Sequence, residues 1–154
     1  MTQRLDPFAA APAQMQAWLD MSLKIAPALE HSLLELVKIR ASQINGCANC
    51  INMHTADARK AGETEQRIYL LSAWHDAPVY SARERAALAW TDALTLVSAS
   101  RAPQEVYDAL AAEFTQEEQV QLTLMINVIN GWNRLAVGFE LFYDARPAHT
   151  KQAA

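Results

Sequence analysis

Glycine is scarce in this sequence, with four in 154 residues, and proline stands at six. So low a share of both excludes a collagen-like or low-complexity chain. Cysteine is scarcer still: only Cys47 and Cys50, three positions apart. Two such close thiols cannot staple a fold, so a disulfide scaffold is excluded. Basic clusters are absent. Thirteen Lys and Arg against seventeen Asp and Glu give a formal net charge of −4. Nucleic acid and anionic membranes are therefore poor partners. There is no long uninterrupted apolar run. The most apolar stretch, 120–142, carries Gln121, Asn127, Asn130, Asn133, Arg134 and Glu140, too polar to span a bilayer. At the N-terminus Asp6, Pro7, Gln14 and Gln16 break any apolar leader. These absences predict a soluble protein of the reducing cytoplasm. There a close cysteine pair is redox-active or metal-binding more often than structural.

What the sequence does have is alanine, at 29 positions, within a hydrophobic share of 51%. Alanine-rich, glycine-poor chains form packed helices. The length fits one domain over 1–154, at about 150 residues per domain. Its expected core is 15–140, with flexible tails over 1–11 and 146–154. The pattern predicts an all-α fold of about six to eight helices. The first covers 12–25. Pro27 opens a second, which ends at the Asn45-Gly46 turn. A third runs from Cys47 to Lys60-Ala61, with Gly62 beyond its end. Thr64 to His75 forms a fourth. Ser81 with Glu84, and Thr115 with Glu118, read as capping boxes. They launch a helix through Val97 and a long one reaching Phe142, with another from Pro103 to Glu113 between them. Several helices are apolar on more than one side, which points to a homo-oligomer.

The informative segment is Glu35 to His54. With Cys47 onward on a helix, Cys47, Cys50, Ile51, His54, Ala58 and Ala61 share one face. Asn49, Asn52, Thr55, Arg59 and Lys60 lie elsewhere. Helical Cα atoms three apart are separated by about 5 Å, which a disulfide tolerates. The pair can cycle between dithiol and disulfide with little backbone movement. A helix N-terminus favours a thiolate, and this alone points to Cys47. His54, four residues after Cys50, can take or return a proton. A thiolate beside a second thiol is what peroxide reduction needs: a sulfenic acid forms, and the partner thiol condenses with it. Zinc is the rival, with Cys47, Cys50, His54 and Glu35 as four ligands. Haem attachment is excluded, because Ile51 rather than His follows Cys50. Buried structural thiols remain the bland alternative.

The spacing Glu35-x11-Cys47-x2-Cys50-x3-His54 resembles the signature of the alkyl hydroperoxidase AhpD proteins, of the carboxymuconolactone decarboxylase superfamily. The resemblance covers residues 15–140. It is strongest over 34–62 and returns at Arg83-Glu84-Arg85 and Trp132-Asn133-Arg134. It implies an all-helical fold assembled as trimers or hexamers, and a thiol-dependent peroxidase. It implies Cys50 as the cysteine that attacks peroxide and Cys47 as the resolving one. His54 and Glu35 become the proton relay. The implied partners are a hydroperoxide and a lipoylated or thioredoxin-like thiol reductant, with no cofactor and no metal. The sequence departs from the family at Asn49, where well-studied AhpD proteins carry histidine. Two other readings stand beside this one. One is a metal-binding module on Cys47, Cys50 and His54; the other is a disulfide-exchange or stress-sensing protein. Lactone decarboxylation, the superfamily's other activity, has no use for two thiols.

The remaining candidates read as structural. A lone glutamate is usually solvated, and only the family spacing singles out Glu35. His31 can pair with Glu35 at i,i+4. His75 suits a helix C-terminus, and His149 falls in the tail. Trp18, Trp74, Trp90 and Trp132 read as core or interface, some of them as walls of the thiol pocket.

Overall fold

A computed structural model describes residues 3–142. Its elements are α1 (Pro7–Ala10), α2 (Pro12–Ile25), α3 (His31–Ile44), α4 (Ala48–Lys60), α5 (Glu65–Leu70), α6 (Ala82–Thr95), α7 (Val97–Ser100), α8 (Gln104–Glu113) and α9 (Gln116–Phe139). A 3₁₀ turn, Leu71–Ala73, follows α5. The described residues contain no strand. The all-α expectation holds. The helix number exceeds six to eight because α1 and α7 are single turns.

Both capping boxes form. Ser81 accepts the Glu84 N–H at 3.2 Å, and the Glu84 carboxylate accepts the Ser81 N–H at 2.8 Å. Thr115 and Glu118 repeat the exchange at 3.3 and 2.8 Å. Each such cap stabilises its helix by about 0.5–2 kcal/mol. Gly62 follows the α4 cap with φ +97°, as its position predicts.

Several boundaries differ from the sequence reading, among them that of the helix expected through Val97, which ends at Thr95. Pro27 does not open α3, which starts at His31 with Glu30 as its cap. Ala26 still donates to the Ser22 carbonyl as the cap of α2. Pro27 therefore terminates α2, a usual place for a residue that cannot continue a helix. The helix expected over 64–75 shortens to α5 and the 3₁₀ turn. Arg85 draws the Trp74 and His75 carbonyls to itself, at 3.3 and 3.2 Å, and away from helical pairing. The last helix stops at Phe139, where Glu140 turns left-handed at φ +54° and Leu141 donates to the Ala136 carbonyl.

The first residues also carry structure. Asp6 caps α1 by accepting the Phe8 N–H at 2.9 Å. Arg4 donates its backbone N–H to the Phe139 carbonyl at 3.0 Å, and its guanidinium to Glu140 at 2.7 Å. The expected tail over 146–154 lies outside the described residues.

The middle of the fold is α3, which packs against α4, α6 and α9. Leu33, Leu34, Leu36, Val37, Ile39 and Ala41 are all buried on it, so it is apolar nearly all round. One core joins Leu33, Leu34 and Val37 to Ala86, Ala87, Leu122, Met125 and Ile126. A second joins Leu36 and Ile39 to Ala58, Ile68, Leu71, Trp74 and Leu88. Each buried leucine or isoleucine contributes about 1.5–3 kcal/mol. Ala86 and Ala87 let α6 lie close against α3. No helix among the described residues is long and apolar enough to cross a membrane.

Candidate functional site

The site is built on the turn between α3 and α4. Gly46 takes φ +65° there, a left-handed angle that favours glycine. Its N–H reaches the Gln43 carbonyl at 3.3 Å, and the Cys47 N–H reaches the Ser42 carbonyl at 2.9 Å. This crossed pair of bonds ends α3 with a left-handed residue. Cys47 then caps α4: its sulfur accepts the Cys50 N–H at 3.3 Å. Cys47 therefore lies just outside the helix that the sequence reading began with it.

Cys47 and Cys50 form a disulfide, their Cα atoms 5.4 Å apart. Both are buried, at 1% and 4% exposure. They pack against Ala41 of α3 and against Ile129 and Ala136 of α9, with Trp132 and Leu141 at the edge. Of the helical face expected to point inward, Cys47, Cys50 and Ala58 are buried, Ile51 and His54 are half-buried, and Ala61 is exposed. Asn49 is buried as well, and its amide nitrogen lies 3.7 Å from the Met53 sulfur.

Glu35 is not solvated; its side chain is 3% exposed. In an antiparallel helical pair, residues equally far from the turn face each other. Glu35 and His54 stand almost symmetrically about Asn45-Gly46, so α3 delivers the carboxylate to the imidazole. His54 Nδ1 is 3.0 Å from Glu35 Oε2. Lys38 Nζ donates to Glu35 Oε1 at 2.7 Å. His31 Nε2 is farther, at 3.7 Å, and largely exposed. Burial pushes the Glu35 carboxyl up, but the hydrogen bonds from His54 and Lys38 outweigh it and hold the group below its usual value. An ionised carboxylate only accepts, so His54 Nδ1 carries the proton. The imidazole Nε2 is the ring nitrogen that Glu35 does not hold.

His54 and Lys38 both line a pocket of about 150 Å³ between α2, α3, α4 and α9. Its other walls are mostly apolar: Leu23, Ala26, Met125, Val128, Ile129 and Trp132. Ile129 and Trp132 also touch the cysteine cluster, so they connect this pocket to the disulfide. A second recess, of about 230 Å³, opens beside Gly46, Cys47 and Asn49, against Ala136, Val137 and Glu140 at the end of α9.

The structure thus pairs Glu35 with His54 and Cys47 with Cys50, and Ile129 and Trp132 border both pairs. Among the tryptophans, Trp132 walls the pocket, while Trp74 belongs to the second core. His75 stacks on Trp74 at 3.6 Å between ring centres, away from the site. His149 lies outside the described residues. For the metal alternative, both sulfurs are committed to each other in this state. Among the described residues, the donors close enough to share a cation are Glu35, His54 and Asp57, within 4.8 Å of one another. The Lys38 ammonium on Glu35 opposes that use electrostatically.

Two features escaped the sequence reading. Lys38 was the first, although its i,i+3 spacing from Glu35 was a usable signal. The second is a polar network behind the turn. Asn45 donates to Asn130 and Asn133, each at 2.9 Å. Asn133 donates to Ser42 at 3.0 Å, and Asn130 to Thr95 at 3.1 Å. Asn133 is fully buried. The network ties α9 to the segment that sets Cys47.

Residues 12–93 match the family described as carboxymuconolactone decarboxylase. The uncharacterized protein YdfG of Bacillus subtilis (strain 168) is 45% identical over 138 residues, 89% of this chain and 94% of that one. The crystal structure of ATU0492 from Agrobacterium tumefaciens superposes with a TM-score of 0.91 at 40% identity. It covers 94% of this chain and 100% of that one. ATU0492 is a protein of unknown function that carries the name of the AhpD antioxidant defence proteins. The debrominase Bmp8 shares the fold alone, with a TM-score of 0.77 at 18% identity over 90% of this chain and 75% of that one.

Proposed function

We propose, from the premise that the chain belongs to the carboxymuconolactone decarboxylase family, that it is a thiol-dependent peroxidase of AhpD type. One observation carries the reading: the Cys47–Cys50 pair opens α4 one turn from His54, which the buried Glu35 orients. Lactone decarboxylation needs no dithiol, so the pair favours redox chemistry within the family.

In this reading His54 first takes the Cys50 thiol proton at Nε2, and Cys50 attacks as a thiolate on the terminal oxygen of a hydroperoxide. The O–O bond breaks, and the leaving alkoxide takes a proton from His54, at the ring nitrogen that Glu35 does not hold. Cys50 becomes a sulfenic acid. The Cys47 sulfur attacks it and expels hydroxide, which leaves as water. The two thiols have then given two electrons to the peroxide. Glu35 stays ionised and keeps the imidazole in one tautomer. The pocket beside His54 supports an organic hydroperoxide, since an apolar cavity of about 150 Å³ holds a benzene ring. A thiol reductant, lipoylated or thioredoxin-like, returns the disulfide to dithiol. Val120 and Leu124 leave apolar surface exposed on α9. It supports assembly with further copies, as trimer or hexamer.

Mass spectrometry of the reduced protein after one equivalent of cumene hydroperoxide tests the reading. A Cys47–Cys50 disulfide is expected. Cys50→Ser abolishes peroxide consumption, and Cys47→Ser leaves a sulfenic acid on Cys50 that dimedone traps. Intact thiols after peroxide treatment would overturn it.

A further inference from the structure

The two recesses at the site meet different parts of it. The pocket between α2 and α9 reaches His54 and neither sulfur. The recess at the end of α9 reaches Cys47 and not Cys50. Cys50 lies between them, packed on Ile129 and Ala136. We propose that the disulfide is reduced through an opening separate from the peroxide pocket, by a dithiol that attacks Cys47 through the recess at the end of α9. This rests on the peroxidase reading and adds the direction of its second half.

The chemistry of exchange favours that direction. A thiolate attacks one sulfur of a disulfide in line, and the far sulfur leaves. Cys47, 1% exposed, lines the recess and Cys50 does not, so a thiolate seated there meets Cys47 first and the leaving sulfur is Cys50. The reductant's first sulfur bonds to Cys47 while the Cys47–Cys50 bond breaks. Cys50 takes that electron pair and departs as a thiolate, one helical turn from His54. The attacking cysteine is thus regenerated in the form that meets the next peroxide. The reductant's second sulfur then attacks its own first sulfur and closes its disulfide. Cys47 leaves as a thiolate, which the Cys50 N–H and the α4 N-terminus stabilise. A good leaving thiolate speeds this last step. Two electrons have moved from the dithiol to the protein.

The rim of the recess fits such a partner. Val137 and Phe142 are each about half exposed, and the Glu140 charge is already paired with Arg4. Apart from this ion pair the mouth is mostly apolar, which suits a dithiol carried on an uncharged arm.

The test takes the oxidised protein and 2-mercaptoethanol, with a rapid acid quench followed by alkylation with iodoacetamide. Peptide mass spectrometry then locates the mercaptoethanol adduct. It is expected on Cys47, with the alkyl group on Cys50; the adduct on Cys50 overturns the proposal. Two rim variants give a second readout. Val137→Arg slows reduction by dithiothreitol about tenfold while oxidation by cumene hydroperoxide stays within about twofold, and Leu23→Trp does the reverse. Both variants slowing the same half-reaction would also overturn it. If peroxide fails to oxidise the dithiol at all, the peroxidase reading falls, while the adduct position still decides the direction of reduction.

Discussion

Lys38 donates to the one oxygen of Glu35 that His54 does not hold, at 2.7 Å. The buried carboxylate is thereby shared between a lysine on its own helix and an imidazole on the next. Burial alone would have favoured its neutral form. The two donors reverse that, and His54 keeps a fixed tautomer.

Glu35 therefore links stability to pH. Its native value lies below the unfolded one, so it stabilises the fold above the usual carboxylate value of about 4.3. That contribution disappears as pH falls through the native value. Urea unfolding between about pH 6 and about pH 3 checks this against Glu35→Gln. The variant, which has no such charge to lose, shows the shallower decline.

Lys38→Met removes one donor and leaves His54 as the carboxylate's only close hydrogen-bonding partner. A hydrogen bond to a charged group contributes about 1.5–3 kcal/mol. A loss of that size is expected in urea at neutral pH, with slower disulfide formation by peroxide. Lys38→Arg keeps the charge and restores part of both.

Asn133→Ala strips the network behind the turn. Asn45 loses one acceptor and Ser42 loses a donor. Stability falls by about 1–3 kcal/mol, the cost of buried polar groups left unpaired. Because Ser42 also receives the Cys47 N–H, resolution of the sulfenic acid slows as well. Stopped-flow oxidation and thermal unfolding measure the two effects separately.

Gly131→Ala tests the contact between α2 and α9. A methyl group there collides with the Trp18 ring, which itself leans on Trp132, 6.4 Å away between ring centres. Overpacking of this kind costs about 1–3 kcal/mol. The displaced tryptophans disturb the wall of the His54 pocket, so thermal unfolding and the rate with cumene hydroperoxide both fall.

Local signals were legible in the sequence. Ser81 and Thr115 announced their helices because a capping box closes within four residues. Cys47, Cys50 and His54 were legible because one helix carries Cys50 and His54 and is capped by Cys47. Relations between helices were not. Glu35 looked solvated because its acceptor role depends on His54, 19 positions away. Asn130 and Asn133 looked like polar interruptions of α9, although they hold the turn at Asn45. Pro27 was ambiguous because proline suits both the first turn of one helix and the exit from another.

Arg4 and Glu140 join the two ends of the described fold, and Glu140 also walls the recess over Cys47. A group attached close to Arg4 would therefore lie near the recess lined by Cys47, not at a remote pole. Removing the first five residues would unfasten one bank of that opening. The way the recombinant chain is begun thus becomes an experimental variable for its redox rate.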